Sequence, residues 1–135
     1  MERSRQMNNV PTIKLKSIVI DCPDIQALAD FYIRMLGWEK DYVEEGEFLD
    51  IRSPLGDVKI AFQTNTDYVS PVWPEEPHAQ QQMLHMDFAV QSKEDMESAV
   101  KHAISCGATK AAIQYSDEWT VMFDPVGHPF CFVVE

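Results

Sequence analysis

The segment DIQALADFYIRMLGW, residues 24–38, has the pattern of a complete amphipathic helix with its own start and stop signals. Asp24 is a typical N-cap residue, and Gly37 supplies the left-handed residue with which helices commonly end. Between them, apolar residues recur at steps of three and four, which is the spacing of one buried helix face. That face comprises Ile25, Leu28, Ala29, Tyr32, Met35 and Leu36.

Short segments rich in β-branched and aromatic residues flank this helix. One strand is predicted over residues 15–21 before the helix, and three more are predicted over residues 38–43, 48–52 and 58–63 after it. Turn sequences such as Ser53-Pro54-Leu55-Gly56 separate the strands. The first half of the chain therefore has the predicted order β-α-β-β-β.

The same order returns after residue 83. A strand over 84–90 precedes a second helix, which begins at Ser92 and ends at Gly107, and strands over 108–114, 118–123 and 129–134 follow. The apolar face of that helix comprises Met96, Ala99, Val100, Ala103 and Ile104. The two helix-ending glycines are 70 positions apart, and the prolines of the two Pro-x-Gly turns are 71 apart. This internal repeat predicts an α+β fold built from two βαβββ modules.

The repeat also divides the chain. We predict a flexible leader over residues 1–13 and one domain over 14–135, with module one at 14–63, an arm at 64–83 and module two at 84–135. Three prolines in the arm prevent it from continuing a helix or a central strand. Because the arm is long and contains a tryptophan, it is expected to pack over the domain as an arm or lid, with a plain linker as the alternative.

The charge of the chain limits its partners. Its 135 residues include 22 Asp and Glu but 11 Lys and Arg, which gives a formal net charge of −11. Such a surface repels phosphate, so neither nucleic acid nor an anionic membrane is an expected partner. Three cysteines without a C-x-x-C pair favour a reducing compartment, and no apolar run is long enough to span a membrane. The predicted location is the cytoplasm.

Strand alternation separates the side chains that face the helices from those that face away. The predicted helix-facing set comprises Val58, Ile60, Phe62, Leu84, Met86, Phe88, Val90, Phe130, Phe132 and Val134. The opposite, concave face receives Lys59, Ala61, Gln63, His85, Asp87, Cys131, Val133 and Glu135. A histidine and a carboxylate two residues apart can act as a general acid–base pair, bind a ligand jointly, or form a structural pair.

The remaining histidines and the aromatic residues carry weaker signals. His78 lies in the arm, His102 follows the polar side of the second helix, and His128 is predicted to lie on a turn surface. Four aromatic residues could line a pocket or contribute to core and interface packing. These are Trp73, Tyr115, Trp119 and Phe123.

Taken with the repeat, three segments of the chain resemble the vicinal oxygen chelate superfamily, which includes glyoxalase I, extradiol dioxygenases and bleomycin resistance proteins. They are residues 24–38, the closing DPVGHPFCF at 124–132, and PVWP at 71–74 followed by QQMLHMDF at 81–88. The last of these is similar to the branch of glyoxalase-like domain proteins. Over residues 14–134 the resemblance implies paired curved mixed sheets around an open groove, a homodimer, and a small organic molecule bound on the concave face.

The resemblance also implies four metal-ligand positions, which fall on Ser17, near Ala61, on His85 and on Cys131. A catalytic divalent ion generally needs about three protein ligands of histidine or carboxylate type. Only His85 is a good ligand of that kind. We therefore expect no metal and no other cofactor, with half a zinc site at His85 and Cys131 as the alternative.

The preferred hypothesis is a metal-independent small-molecule-binding protein whose ligand lies between the concave sheet and the arm. The candidate catalytic residues are His85 and Asp87, and the candidate ligand-binding residues are Ser17, Ala61, Gln63, Trp73, Trp119 and Cys131. The alternative is a glyoxalase-like lyase or isomerase with His85 as its acid–base group, with or without a weakly recruited divalent metal. A structural interaction module is a third class, because this fold carries all of these functions.

Overall fold

The computed structural model describes residues 9–135. Two helices and eight strands follow one another there in the predicted order. The first module contains β1 (Ser17–Cys22), α1 (Ile25–Leu36), β2 (Glu39–Glu44), β3 (Phe48–Arg52) and β4 (Lys59–Thr64). The second contains β5 (Met86–Val90), α2 (Lys93–Cys106), β6 (Thr109–Lys110), β7 (Trp119–Phe123) and β8 (Pro129–Val134). Most of the leader predicted over residues 1–13 lies outside the described residues.

Each module forms one four-stranded mixed sheet. The strand order is β1-β4-β3-β2 in the first sheet and β5-β8-β7-β6 in the second. In each sheet the first strand runs parallel to the last strand of its module, while the other neighbours are antiparallel. Both sheets are open, and the predicted α+β fold of two βαβββ modules is confirmed.

The helix ends follow the predicted signals. The backbone N–H of Ala27 donates to the Asp24 carboxylate at 3.1 Å, and Gly37 adopts the left-handed conformation with φ 71°. The second helix begins at Ser92, whose hydroxyl accepts from the backbone N–H of Asp95 at 3.0 Å. Neither of the two helices in residues 9–135 is long and apolar enough to cross a membrane.

The main hydrophobic core is shared by the two modules. Phe130 of β8 lies 6.3 Å between ring centroids from both Phe31 and Tyr32 of α1. The helices also meet directly, because Arg34 donates to the backbone carbonyl of Cys106 at 2.8 Å. Phe31 was not on the predicted helix face, yet it is fully buried. Helix α1 therefore has a second buried side, which packs against the other module.

Three residues predicted to face the core are exposed instead: Val58, Leu84 and Ile104. Val58 precedes β4, which begins at Lys59. Leu84 precedes β5, because the backbone turns at Met83, where φ is 65°, and the strand begins only at Met86. Ile104 lies in the last turn of α2 and is beyond the reach of the core.

The strand predicted over residues 108–114 is reduced to the two residues of β6. The side-chain amide of Gln114 donates to the carbonyl of Val121 at 2.9 Å and accepts from its N–H at 2.8 Å. The Val121 carbonyl still accepts from the backbone N–H of Ala111 at 3.0 Å, but the Val121 N–H, which a longer β6 would bind, is taken by the glutamine side chain. The alternation of apolar and polar residues in the sequence does not reveal that a side chain takes the place of strand pairing.

The shared core predicts a large effect of truncating Phe130, whose ring contacts those of Phe31, Tyr32, Phe88 and Phe132. Phe130→Ala should lower the free energy of unfolding by about 3–5 kcal/mol, because it leaves a cavity between the modules. Urea denaturation measures this change. As a control, Leu55→Ala at a position that is 95% exposed should change stability by less than about 0.5 kcal/mol. Equal effects of the two substitutions would contradict a core shared through Phe130.

Candidate functional site

His85, Asp87 and Cys131 converge on the second sheet. His85 Nε2 lies 3.3 Å from Asp87 Oδ1, and one ligand atom from each of the three residues lies within 4.8 Å of the others. Cys131 joins the pair because it is the register partner of Asp87 between β5 and β8. Burial, with a smaller effect of the Asp87 carboxylate, raises the pKa of the Cys131 thiol from 9.0 to about 11. The thiol is therefore protonated at neutral pH.

An apolar patch surrounds Cys131 on the same face. Its buried members are Ala111, Val121 and Cys131, and Trp73, Phe123 and Val133 pack against them. The Trp73 ring lies 5.6 Å from that of Tyr115 and 6.3 Å from that of Phe123. Trp119, the register partner of Val133, is half exposed at the margin of the patch. The arm thus covers this face of the second sheet through Trp73.

The equivalent face of the first sheet is occupied by a charged cluster. Lys59 Nζ lies 2.6 Å from Asp41 Oδ2 and 3.7 Å from Asp50 Oδ2. The hydrogen bond between Lys59 and Asp41 raises the pKa of the lysine and lowers that of the carboxylate. Asp50 also accepts from the backbone N–H of Tyr42 at 2.9 Å, and it pairs in register with the buried Ala61. These carboxylates already have partners.

Between β1, the arm and the start of β5 lies a cavity of about 320 Å³, which we call the arm cavity. Its wall combines apolar groups, such as Val19 and Leu84, with polar ones. The polar and titratable side chains are those of Asp21, Asn65, Asp67, Tyr68, Gln80, Gln81, Gln82, His85 and His128. Of the predicted site residues, His85 alone lines this cavity. Those that do not are Ser17, Ala61, Gln63, Trp73, Asp87, Trp119 and Cys131.

The arm is anchored to both modules. Tyr68 donates its hydroxyl to the carbonyl of Val126 at 2.8 Å, and Asn65 donates to the Asp21 carboxylate at 2.9 Å. Gly127, with φ 98°, admits the arm closely, since a Cβ there would lie 1.9 Å from Ser70 Oγ. These contacts hold residues 65–70 against both modules.

Beneath the arm, the buried carboxylate of Asp124 organises the turn between β7 and β8. It accepts from the Tyr32 hydroxyl at 2.8 Å and from His128 Nδ1 at 2.7 Å. It also accepts from the backbone N–H groups of Val126 and His128, both at 3.0 Å. Burial is the main cause that raises the pKa of the Tyr32 phenol well above its ordinary value, and Asp124 adds to it.

The surface position predicted for His128 is wrong, because its side chain is only 16% exposed. The ring pairs with Asp124 and lies 5.2 Å from the ring of Tyr68. The sequence held one hint, a carboxylate and a histidine four residues apart in a turn. The contribution of Tyr32 from the first helix, 92 residues away, had no sequence signal.

The four metal-ligand positions implied by the fold do not form a matching donor set. Ala61 offers no ligand atom, and Ser17 offers only a hydroxyl. His85 and Cys131 stand on the second sheet with Asp87, and they combine a nitrogen, a sulfur and an oxygen. The four positions therefore do not supply a set of histidine and carboxylate ligands from both modules.

Comparison with known proteins agrees with this architecture. Residues 17–133 match the family model of the glyoxalase-like domain. No curated protein sequence matches the chain.

Several solved structures share the fold. A glyoxalase/bleomycin resistance protein/dioxygenase family enzyme from Burkholderia phytofirmans PsJN is 21% identical, with a TM-score of 0.68 over 89% of this chain and 97% of that one. A possible glyoxalase from Bacillus cereus is 13% identical, with a TM-score of 0.67 over 90% and 99%. Lactoylglutathione lyase from Agrobacterium tumefaciens is 12% identical, with a TM-score of 0.63 over 92% and 95%. The family model and the shared fold together lead to one conclusion: this chain belongs to the glyoxalase-like domain family of the vicinal oxygen chelate superfamily.

Proposed function

We propose that this protein binds a small organic molecule in the arm cavity without the help of a metal ion. The observation that carries the proposal is the cavity itself, which measures about 320 Å³ and is bounded by β1, the arm and His85. Ligand sites in proteins generally fall between about 300 and 1,000 Å³ and combine apolar walls with a few polar groups. The arm cavity has both properties.

His85 is the proposed orienting group. It is exposed, lines the cavity, and holds Asp87 within 3.3 Å. A neighbouring carboxylate favours one arrangement of the imidazole and leaves the other nitrogen for a ligand. Trp73 supports the site indirectly, since its contacts with Tyr115 and Phe123 hold the arm against the second sheet.

Replacement of His85 tests this role. For a compound found by a thermal-shift screen of small organic molecules, His85→Gln should weaken binding by about five- to tenfold, which corresponds to the loss of one hydrogen bond of about 1 kcal/mol. Isothermal titration calorimetry measures the affinity. The matched control is His102→Gln in α2, where the native ring contacts the carbonyl of Met35 at 3.0 Å, away from the cavity. Equal affinities of the wild-type protein and His85→Gln would contradict the proposed role.

The alternative function is a glyoxalase-like lyase or isomerase with His85 as the acid–base group. The distance of 3.3 Å between His85 and Asp87 favours it, because a carboxylate can stabilise the charged ring during proton transfer. Formation of lactoylglutathione by the wild-type protein, with loss of that activity in His85→Gln, would favour this alternative over simple binding.

Metal independence is the second testable part of the proposal. We expect purified protein to contain far less than one equivalent of nickel, zinc, iron or manganese. Ser17 and Ala61 give His85 no donor set from the first sheet, and the Cys131 beside it is a protonated thiol, because burial raises its pKa to about 11, rather than the thiolate that binds metals. Elemental analysis by mass spectrometry measures the content, and His85→Ala is the matched variant. One equivalent of metal that disappears in His85→Ala would contradict the proposal.

We further propose a homodimer. Strand β2 lies at the edge of the first sheet, and all six of its residues are exposed. An exposed edge strand of this length can pair with strands of other molecules unless another element covers it. Light scattering should give twice the chain mass of 15.5 kDa at micromolar concentration. A mass of one chain over the whole accessible concentration range would contradict the dimer.

A cytoplasmic location completes the proposal. Cys22, Cys106 and Cys131 are all free thiols, as expected for a protein of a reducing compartment.

A further inference from the structure

We propose that His128 is a ligand-binding residue of the arm cavity and that its Nε2 atom accepts a hydrogen bond from a hydroxyl group of a small molecule that carries this hydroxyl next to an apolar part. This inference rests on the proposed function, since it concerns the same cavity. It adds a residue that the sequence predicted to lie on a turn surface, and it specifies the chemistry of the ligand.

The first step concerns the orientation of the ring. Nδ1 of His128 lies 2.7 Å from Asp124 Oδ2, and an ionised carboxylate can only accept, so Nδ1 carries the hydrogen of that bond. Asp124 cannot turn away, because its side chain is fully buried and also holds Tyr32 and two backbone N–H groups. In the neutral ring, Nε2 is therefore the acceptor.

The second step concerns access to Nε2. Nε2 has no hydrogen-bond partner within residues 9–135. Every buried side-chain nitrogen or oxygen in those residues does have a partner, so Nε2 cannot be one of the buried atoms. Nε2 is consequently open to solvent although the residue as a whole is mostly buried. The ring lines the arm cavity, so the open nitrogen is available to a molecule bound there.

The third step concerns the surroundings of the ring. The Tyr68 ring lies 5.2 Å from it at an interplanar angle of 42°, and the Tyr68 hydroxyl is already bound to the carbonyl of Val126. Pro129, Val19 and Leu84 add apolar surface to the same cavity. The oriented acceptor therefore lies beside apolar surface, while side chains such as Asn65 and Gln80 make other parts of the wall polar. This combination suits a compact molecule that has a hydroxyl donor next to an apolar part.

Phenol and toluene form a matched pair of probes, because they share an aromatic body and differ in the hydroxyl. Nitrogen-15-labelled protein is studied at about pH 8, above the ordinary titration range of histidine. Spectra that correlate ring protons with ring nitrogens should show His128 with a proton on Nδ1 and none on Nε2. Phenol should shift the Nε2 resonance, whereas toluene should leave it unchanged. Both probes should shift the backbone amides of Val19 and Leu84.

The outcomes separate the two proposals. If phenol shifts the amides of Val19 and Leu84 but not His128 Nε2, the role of His128 is wrong and binding in the cavity stands. A proton on Nε2 instead of Nδ1 would also overturn the role of His128. If neither probe shifts any cavity resonance, the role of His128 as an acceptor for a hydroxyl is overturned, while the proposed function is decided separately by the thermal-shift screen.

His128→Asn provides a second measurement. The asparagine amide can donate to Asp124 and preserve the turn, but it offers no ring nitrogen to the cavity. Phenol affinity should fall about fivefold while toluene affinity stays the same, since one neutral hydrogen bond contributes about 1 kcal/mol. An equal loss of affinity for both probes would show that the residue only maintains the shape of the cavity, and it would overturn the proposed hydrogen bond.

Discussion

The structure depends on the buried carboxylate of Asp124. A charged group removed from water is tolerated only when hydrogen bonds replace its hydration, and Asp124 has four donors. One of them, the Tyr32 hydroxyl, belongs to the first module, and the other three belong to the turn before β8. A single side chain thereby ties the helix of one module to the last strand of the other, next to the aromatic contacts of Phe130.

The arm is positioned by that turn, and the cavity follows from the position of the arm. Tyr68 binds the carbonyl of Val126, and Ser70 lies close to Gly127. The arm therefore contacts the same turn that Asp124 organises. Because residues 80–84 then return along β1 toward β5, a space remains between the arm and the edges of both sheets. The cavity is thus a consequence of two edge strands and a connection too stiff to fill the gap.

The two sheets have diverged although their topologies match. In the first, Lys59 pairs with Asp41 and Asp50, and Asp50 lies beside Ala61. In the second, Cys131 and Asp87 stand beside the exposed His85, and the arm covers part of the face with Trp73. This difference means that the equivalent faces of the two modules carry different side-chain chemistry although their topologies match. It also explains why the donor set does not span the two modules.

The sequence by itself determined the modules, the helix ends and the order of helices and strands along the chain, because these depend on local signals such as the Asp24 cap, Gly37 and the repeat at about 70 residues. It also placed His85 and Asp87 on one face, since strand alternation is a local property. Only the tertiary structure decided that Phe31 is buried, that Gln114 replaces a strand, and that Asp124 pairs with Tyr32 and His128. The contact of Phe31 with Phe130 and the hydrogen bond between Tyr32 and Asp124 join segments far apart in the chain, and the position of the arm cavity depends on the same long-range packing, which no periodicity within one segment records.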